Sequence, residues 1–389
     1  MAKITLISQI LNKLDRNNFR SLVKEHRSDK HNKGINSWTH LVSMIFCHFS
    51  KSNSLREISN GLKSATGNLN HLGVSRAPSK STLSYINEHR DWDIFKDYYY
   101  KTLEQISTQA GFRQTKFRIK SKIYLMDATL ISLCLSIFDW AKYRRAKGAI
   151  KLHTILDYDG CLPVYLNMSD GKKHEVEDAQ QLLFPSGSVV VMDRGYIDYA
   201  MLYKWTQNNV NFVTRLKCNT QFERMNEIPL PDNRHENILL DEYIMLTSQK
   251  GKDSYPVKLR RVVVFNEENN ETMEILTNNF TWTAKTISEL YKSRWQIEVF
   301  FKELKQLLKI KSFVGTSQNA VLIQIWTAMI TILLLKYLKH IAKYAWCLSN
   351  LVAFLRLNLF VKIDLQLWLD NPFEVEENVD YESNQLTMF

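Results

Sequence analysis

Two aspartates stand where apolar strands would bury them. Asp127 interrupts "IYLMDATLI" and Asp193 ends "VVVMDRGY". A lone carboxylate in such a run is costly unless it is paired or binds a cation. A third carboxylate, Glu298, lies in "YKSRWQIEVFFKELK", residues 291–305, a predicted helix. No paired His and no nearby Cys accompany the three, so the set offers only hard oxygen donors, which suit Mg²⁺ or Mn²⁺. Two such ions can activate a water and stabilise the leaving oxygen in phosphoryl transfer. The plainer alternative has each Asp capping a strand end or pairing with an arginine. Two Asp at corresponding strand ends, with an inward-facing Glu, favour the metal site.

The helix around Glu298 has its own logic. At about 100° per residue, Tyr291, Arg294, Glu298, Lys302 and Lys305 share one narrow stripe, and Trp295, Ile297, Val299, Phe300, Phe301 and Leu304 fill most of the rest. A surface helix has the opposite proportions. The helix is therefore expected to be buried nearly all round, with its polar stripe facing something specific. Glu298 then reads as a metal ligand, Arg294 and Lys305 as grips on phosphates flanking a cut, and Tyr291 as packing on the nucleic-acid backbone. An ion-pair ladder, Arg294–Glu298–Lys302, on a solvated face is the alternative. Asp157 and Asp159, in "DYDG", read as turn formers, and Glu303 points off the stripe.

The elements that must position these groups are legible in outline. Residues 1–110 read as helices. Within them "SLREISNGLKSAT" (54–66) and "APSKSTLSYINEH", with Ser79 as N-cap, form either a helix-turn-helix or part of a plain bundle. From about residue 117 the texture turns to strands: 123–133, 149–160 and 161–170, then a helix at 175–184, a strand at 188–196, a helix at 198–209 and a strand at 211–217. Residues 218–280 read as a mostly β insertion. Helix resumes at Thr286, where Thr286 and Glu289 fit a capping box. The class is mixed α/β.

A chain of 389 residues suggests two or three domains. Its five cysteines lie far apart with no CxxC pair, which points to a reducing cytosol and away from disulfides or structural zinc. The opening residues have no apolar core of signal-peptide quality. The run "AVLIQIWTAMITILLL", 320–335, is shorter than the ~20 residues that span a bilayer and reads as a buried core helix. The net charge is +11; residues 1–120 hold 20 Lys+Arg against 9 Asp+Glu, and the tail from Asp364 has seven acids and no Lys or Arg. A basic first third fits a polyanion such as nucleic acid, although a solvated basic surface has the same balance. The basic segment Lys142, Arg144, Arg145, Lys147 and Lys151 reads as a phosphate track, or as a solvated basic loop.

Tyr291-x2-Arg294-x3-Glu298-x6-Lys305 matches the Y-R-E-K signature of DDE transposases of the insertion-sequence-four family, a specific pattern. "MDATLI" and "MDRGY" resemble that family's contexts for its first and second catalytic Asp, and "YRRAKGAIKLHTILDYDGCLP" resembles the stretch after the first. The resemblance covers residues 117–340, and residues 1–75 resemble a helical N-terminal domain found on such transposases. It implies a ribonuclease-H-like core, strand order 3-2-1-4-5, at 117–217 and 281–340. A β-rich insertion at 218–280 precedes the catalytic Glu helix, a helical DNA-binding domain at 1–110 precedes the core, and a helical segment with an acidic tail follows at 341–389. Asp127, Asp193 and Glu298 become catalytic metal ligands for two Mg²⁺ or Mn²⁺ ions. Tyr291, Arg294 and Lys305, with Arg144, Arg145, Lys147 and Lys151, become DNA contacts. The implied partners are double-stranded DNA, as terminal inverted repeats and target, and a second copy of the chain on that DNA. The implied setting is the bacterial cytoplasm at the nucleoid, with no membrane. Cleavage and strand transfer at the ends of an insertion sequence is the expected activity. The rivals are a nuclease on the same core that does not join ends, and a catalytically silent DNA-binding regulator, against which the intact triad argues.

Overall fold

The computed structural model describes residues 3–30, 34–65, 67–112, 117, 119–133, 142–144, 147–170, 179–230, 237–267, 270–308, 310 and 312–373. Residues 175–178 of the helix expected at 175–184 lie outside them, and of the rest only Ala179 is helical; the acidic tail beyond Phe373 also lies outside them.

Six helices open the chain: α1 (Leu6–Leu11), α2 (Arg16–Glu25), α3 (Ser37–Ser50), α4 (Leu55–Lys63), α5 (Lys80–His89) and α6 (Asp93–Ala110). Short polar side chains start four of them. Asp15, Asn36, Ser54 and Ser79 each accept a backbone N–H from the first turn, satisfying donors that a helix N-terminus otherwise leaves unpaired. Residues 64–79 separate α4 from α5 and include a 3₁₀ turn at Leu69–Leu72. A helix-turn-helix joins its helices through about 3–4 residues, so the two expected helices are present without that motif.

These helices wrap one long apolar helix, α11 (Gln318–Ile341). It is long and apolar enough to cross a bilayer, but 83% of its most apolar window is buried inside the protein, as expected for a core helix. Trp326 lies parallel to Trp92 at 6.5 Å and leans on Tyr99 and Tyr100. His48 Nε2 and Thr327 Oγ1 share a hydrogen bond at 3.1 Å. The Leu6 and Ile7 amides donate to the carbonyls of Val361 and Leu359, both at 2.9 Å, beside the last helices, α12 (Leu348–Asn358) and α13 (Leu365–Asp370). One continuous apolar cluster runs through the N-terminal helices, α11 and the C-terminal helices.

Ten strands among the described residues form one sheet: β1 (Ile123–Leu133), β2 (Lys142–Arg144), β3 (Lys147–Asp157), β4 (Leu162–Asp170), β5 (Val189–Met192), β6 (Asn211–Arg215), β7 (Phe222–Glu227), β8 (Ile238–Leu246), β9 (Leu259–Asn266) and β10 (Glu271–Thr277). The order is β2-β3-β1-β5-β6-β10-β9-β8-β7, with β4 also paired to β3. β1 runs antiparallel to β3 and parallel to β5, and β5 runs parallel to β6. The residues 218–280 do not form a separate lobe: β10 pairs antiparallel with β6 and carries the sheet outward. A short helix, α8 (Gln249–Ser254), links β8 to β9.

Alternation divides the two faces of the sheet. Leu125, Val189, Val191 and Val213 pack with α9 (Ala284–Ser293) and α10 (Trp295–Leu307). Met126, Val190, Met192 and Phe212 pack with α7 (Tyr199–Gln207).

The junction between the strand extension and α9 is held by a buried ion pair. Arg260 on β9 grips both carboxylate oxygens of Asp241 on β8, at 2.8 and 2.6 Å, and donates to the carbonyls of Asn279 and Trp282. These four bonds hold a buried pair, with both side chains no more than 4% exposed. Removing one partner of such a pair strands a buried charge, at a cost of about 3–5 kcal/mol. Asp241→Ala is expected to lower unfolding stability by that amount in a urea titration. A loss under ~1 kcal/mol would show that water reaches the guanidinium and that the pair is not a closed clamp.

Candidate active site

Asp127 lies in the middle of β1, not at its end as the sequence suggests. It is the partner strand that stops: β5 ends at Met192, whose register partner is Met126. The next residues along the two parallel strands are Asp127 and Asp193, whose backbones leave the last register pair one strand spacing, ~4.8 Å, apart. Both share the parity of Leu125 and Val191 and face α9 and α10. Asp193 turns the chain as well: its carboxylate accepts the Gly195 N–H at 3.2 Å and caps the 3₁₀ turn Arg194–Tyr196.

Glu298 comes from the first turn of α10, and the expected single helix is two. α9 begins with Thr283 as N-cap, accepting the Thr286 N–H at 3.1 Å, so the cap is three residues earlier than the Thr286/Glu289 box suggests. α9 ends at Ser293 and α10 starts at Trp295, with Arg294 at the joint. The joint brings the Arg294 guanidinium between two carboxylates: Nη2 donates to Glu298 Oε1 at 2.6 Å and Nη1 to Asp127 Oδ2 at 3.3 Å. The ladder alternative accounts for the first bond. It has no place for the second, which spans 167 positions. Lys302 is exposed, and Glu303 pairs with Lys336 at 3.8 Å.

The rest of the stripe follows. Tyr291 is buried with its ring 5.8 Å below the Arg294 guanidinium. Burial pushes its phenol above the usual range; Arg294 pulls it down and Asp193 pushes it up. Lys305 donates to Thr129 Oγ1 at 2.5 Å. Thr129 is two residues after Asp127, on the same face of β1, and the sequence reading did not single it out; the i, i+2 parity from Asp127 would have found it. Gln296 accepts from the Cys161 thiol at 2.8 Å, tying the start of α10 to the turn after β3.

The helix is not buried all round. Trp295 is 62% and Val299 40% exposed, on the flank of α10 beside the carboxylates. The basic segment is only partly described. Lys142 and Arg144 lie on β2 and Lys147 begins β3, but their side chains fall outside the described residues, as does the whole of Arg145. Lys151 pairs in register with Leu130, on the face opposite Asp127, so the structure does not bring it to the carboxylates.

A family described as the transposase DDE domain matches residues 118–334, more than half of the chain. The chain belongs to the DDE transposase family. A second family, described only as a domain of unknown function, matches residues 2–75. The transposase is 30% identical over 262 residues to a Sinorhizobium fredii protein named as a transposase, covering 67% of this chain and 71% of that one. It is 29% identical over 261 residues to a Geobacillus stearothermophilus protein named as a transposase for insertion sequence element IS5377, covering 66% and 67%. A Synechocystis protein named as a transposase for element IS4SA is 25% identical over 298 residues, covering 74% and 80%. Among solved structures the chain is similar to a piggyBac transposase in a synaptic complex with hairpin DNA, at 10% identity and a TM-score of 0.44 over 96% of this chain and 81% of that one, a likeness too weak to argue from.

DDE transposases are enzymes of the polynucleotidyl transferase and nuclease type, act on DNA and use divalent metal ions. The residues fit such an ion in chemistry: all three candidates, Asp127, Asp193 and Glu298, are carboxylates, hard oxygen donors. In the conformation described, a guanidinium bridges two of them, and among the described residues no three acidic, His or Cys side chains form a group that could hold an ion. Arg294 holds one oxygen of each of Asp127 and Glu298.

Proposed function

We propose that this transposase binds the terminal inverted repeats of its own insertion sequence, cuts DNA there, and joins the freed ends to a target. Asp127, Asp193 and Glu298 are its metal ligands, for two Mg²⁺ or Mn²⁺ ions. The observation that carries the reading is the Met126–Met192 register, with Arg294 bridging Asp127 and Glu298 beside the end of β5. The core we assign is ribonuclease-H-like. The strand sequence β4-β3-β1-β5-β6, with its antiparallel and parallel steps, supports that assignment.

Divalent ions, when bound, supply water activation and stabilise the leaving oxygen. The chain's own residues do the rest. The two strand carboxylates and Glu298 would hold the ions, where β5 ends beside β1. Arg294, released from the carboxylates, and Lys305 take backbone phosphates on either side of the cut, and the Tyr291 ring supports Arg294 from below. The N-terminal helices contribute to DNA binding, and the enzyme works as a homodimer on DNA in the cytoplasm, at the nucleoid.

A nuclease on the same core would use the same triad, so cleavage alone does not separate the two. Pre-cut end duplexes incubated with a supercoiled plasmid and Mg²⁺ are expected to yield joined products. Nicking of end duplexes with no joined product, under conditions where the ends are bound, would favour the nuclease.

A further inference from the structure

Helix α5 carries an aromatic pair that its packing does not use. The inner face is occupied: Leu83, Ile86 and Asn87 are buried, and Asn87 Oδ1 shares a hydrogen bond with His40 Nε2 at 2.7 Å. Asn319, at the start of α11, donates from Nδ2 to the carbonyls of Asn87 and Arg90, at 2.8 and 2.7 Å. The helix is thus fixed to the element that follows the catalytic helix. On the outer face Tyr85 is 64% exposed. Its ring stacks on that of His89, with centroids 4.2 Å apart and planes 18° from parallel. Because a carbonyl only accepts, His89 Nδ1 donates to the Tyr85 carbonyl at 2.8 Å. The neutral ring then has its acceptor at Nε2, away from the backbone. Ser81 and Glu88, one turn either side of Tyr85, are exposed on the same face, and Arg76 and Lys80 are exposed before and at its N-terminus.

We propose that this face of α5 lies in a groove of the element-end DNA, with Tyr85 and His89 contacting base edges. The inference rests on the end-binding reading above. A major groove is about 12 Å wide and admits one helix, and its base edges offer both donors and acceptors. The face supplies a phenol that does both, an imidazole acceptor, a serine and a carboxylate, with basic residues where the backbone would pass. Stacking holds the two rings in one orientation before binding, so little rotamer freedom is lost on contact. The occupant is duplex DNA and not a second copy of the chain. The face is polar apart from the two amphipathic rings, and the first 120 residues carry 20 Lys+Arg against 9 Asp+Glu.

The test uses the full-length chain, a duplex carrying the inverted repeat that flanks its reading frame, and a shuffled duplex of the same composition. Tyr85→Ala and His89→Ala are each expected to weaken binding to the repeat by about tenfold or more, within the range of losing one base-edge contact, and to change binding to the shuffled duplex less than about threefold. Unchanged melting temperatures would show that the fold is intact. Unaltered binding to the repeat, or an equal loss on both duplexes, overturns the proposal. So does a change in oligomeric state without a change in DNA affinity, which would make the face a protein contact. A wild-type chain that binds DNA but does not distinguish the two duplexes overturns both this proposal and the end-binding reading beneath it.

Discussion

Replacing Glu298 with Gln is expected to abolish strand cleavage and to leave DNA binding intact or slightly tighter. The substitution keeps size and helix propensity and removes only the charge that a divalent ion needs. At the start of α10, Glu298 is 33% exposed and holds one side of the Arg294 guanidinium. Its loss therefore exposes no core, and the stability effect stays within about 1 kcal/mol. Cleavage of an end duplex in Mg²⁺ is expected to fall at least ~10²–10³-fold, the scale on which one transition-state charge contact registers. Asp127→Asn and Asp193→Asn are expected to match it. Binding, followed by fluorescence anisotropy on the same duplex, should not fall, because one negative charge near phosphate has gone. The ion-pair ladder makes the opposite forecast: a few tenths of a kcal/mol of stability and normal cleavage. A Glu298→Gln protein that nicks ends at the wild-type rate removes the catalytic assignment.

The faces on which the candidate residues lie were legible because they depend on local rules. Alternation puts Asp127 and Asp193 on the face of Leu125 and Val191, and helical spacing aligns Tyr291, Arg294, Glu298 and Lys305. What escaped depends on partners distant in sequence. The joint at Arg294 carries no Gly or Pro to mark it. The joint has a geometric counterpart in the reach of Arg294 to Asp127, a contact that local sequence does not encode. Trp295 and Val299 counted as apolar and therefore inside, but α10 covers the sheet with Ile297, Phe300 and Leu304 and leaves its other flank open at the carboxylate edge. The helical reading of the first 110 residues, and the apolar spacing of Leu55, Ile58 and Leu62 in α4, meet helices with buried faces. They could not say that the buried faces meet α11 and the C-terminal helices, more than 200 residues later.

Arg294 decides between two roles that the same contacts suggest, and Arg294→Ala separates them by sign. As a surrogate cation, the guanidinium competes with a metal ion for Asp127 and Glu298. Removing it leaves two carboxylates uncompensated at one edge, so Mn²⁺ should bind the DNA-free protein more tightly. The expected gain is about tenfold, or about 1.4 kcal/mol, a fraction of the ~4 kcal/mol Coulomb energy of a unit pair at ~4 Å and an effective dielectric near 20. Calorimetric titration with Mn²⁺ alone reads it. As a phosphate grip, the same residue is needed once DNA arrives. Binding to end duplexes should therefore weaken, the salt slope should drop by about one, and cleavage should fall with it. Metal affinity and cleavage then move in opposite directions in a single variant. If Arg294 serves only to brace the joint between α9 and α10, there is no reason for the signs to differ. Metal affinity would hold or fall, cleavage would fall, and the melting temperature would drop alongside. That joint outcome would sink the competition between arginine and metal. The opposite-sign outcome would mean that the DNA-free enzyme keeps its carboxylates neutralised by its own side chain until phosphate draws the arginine away.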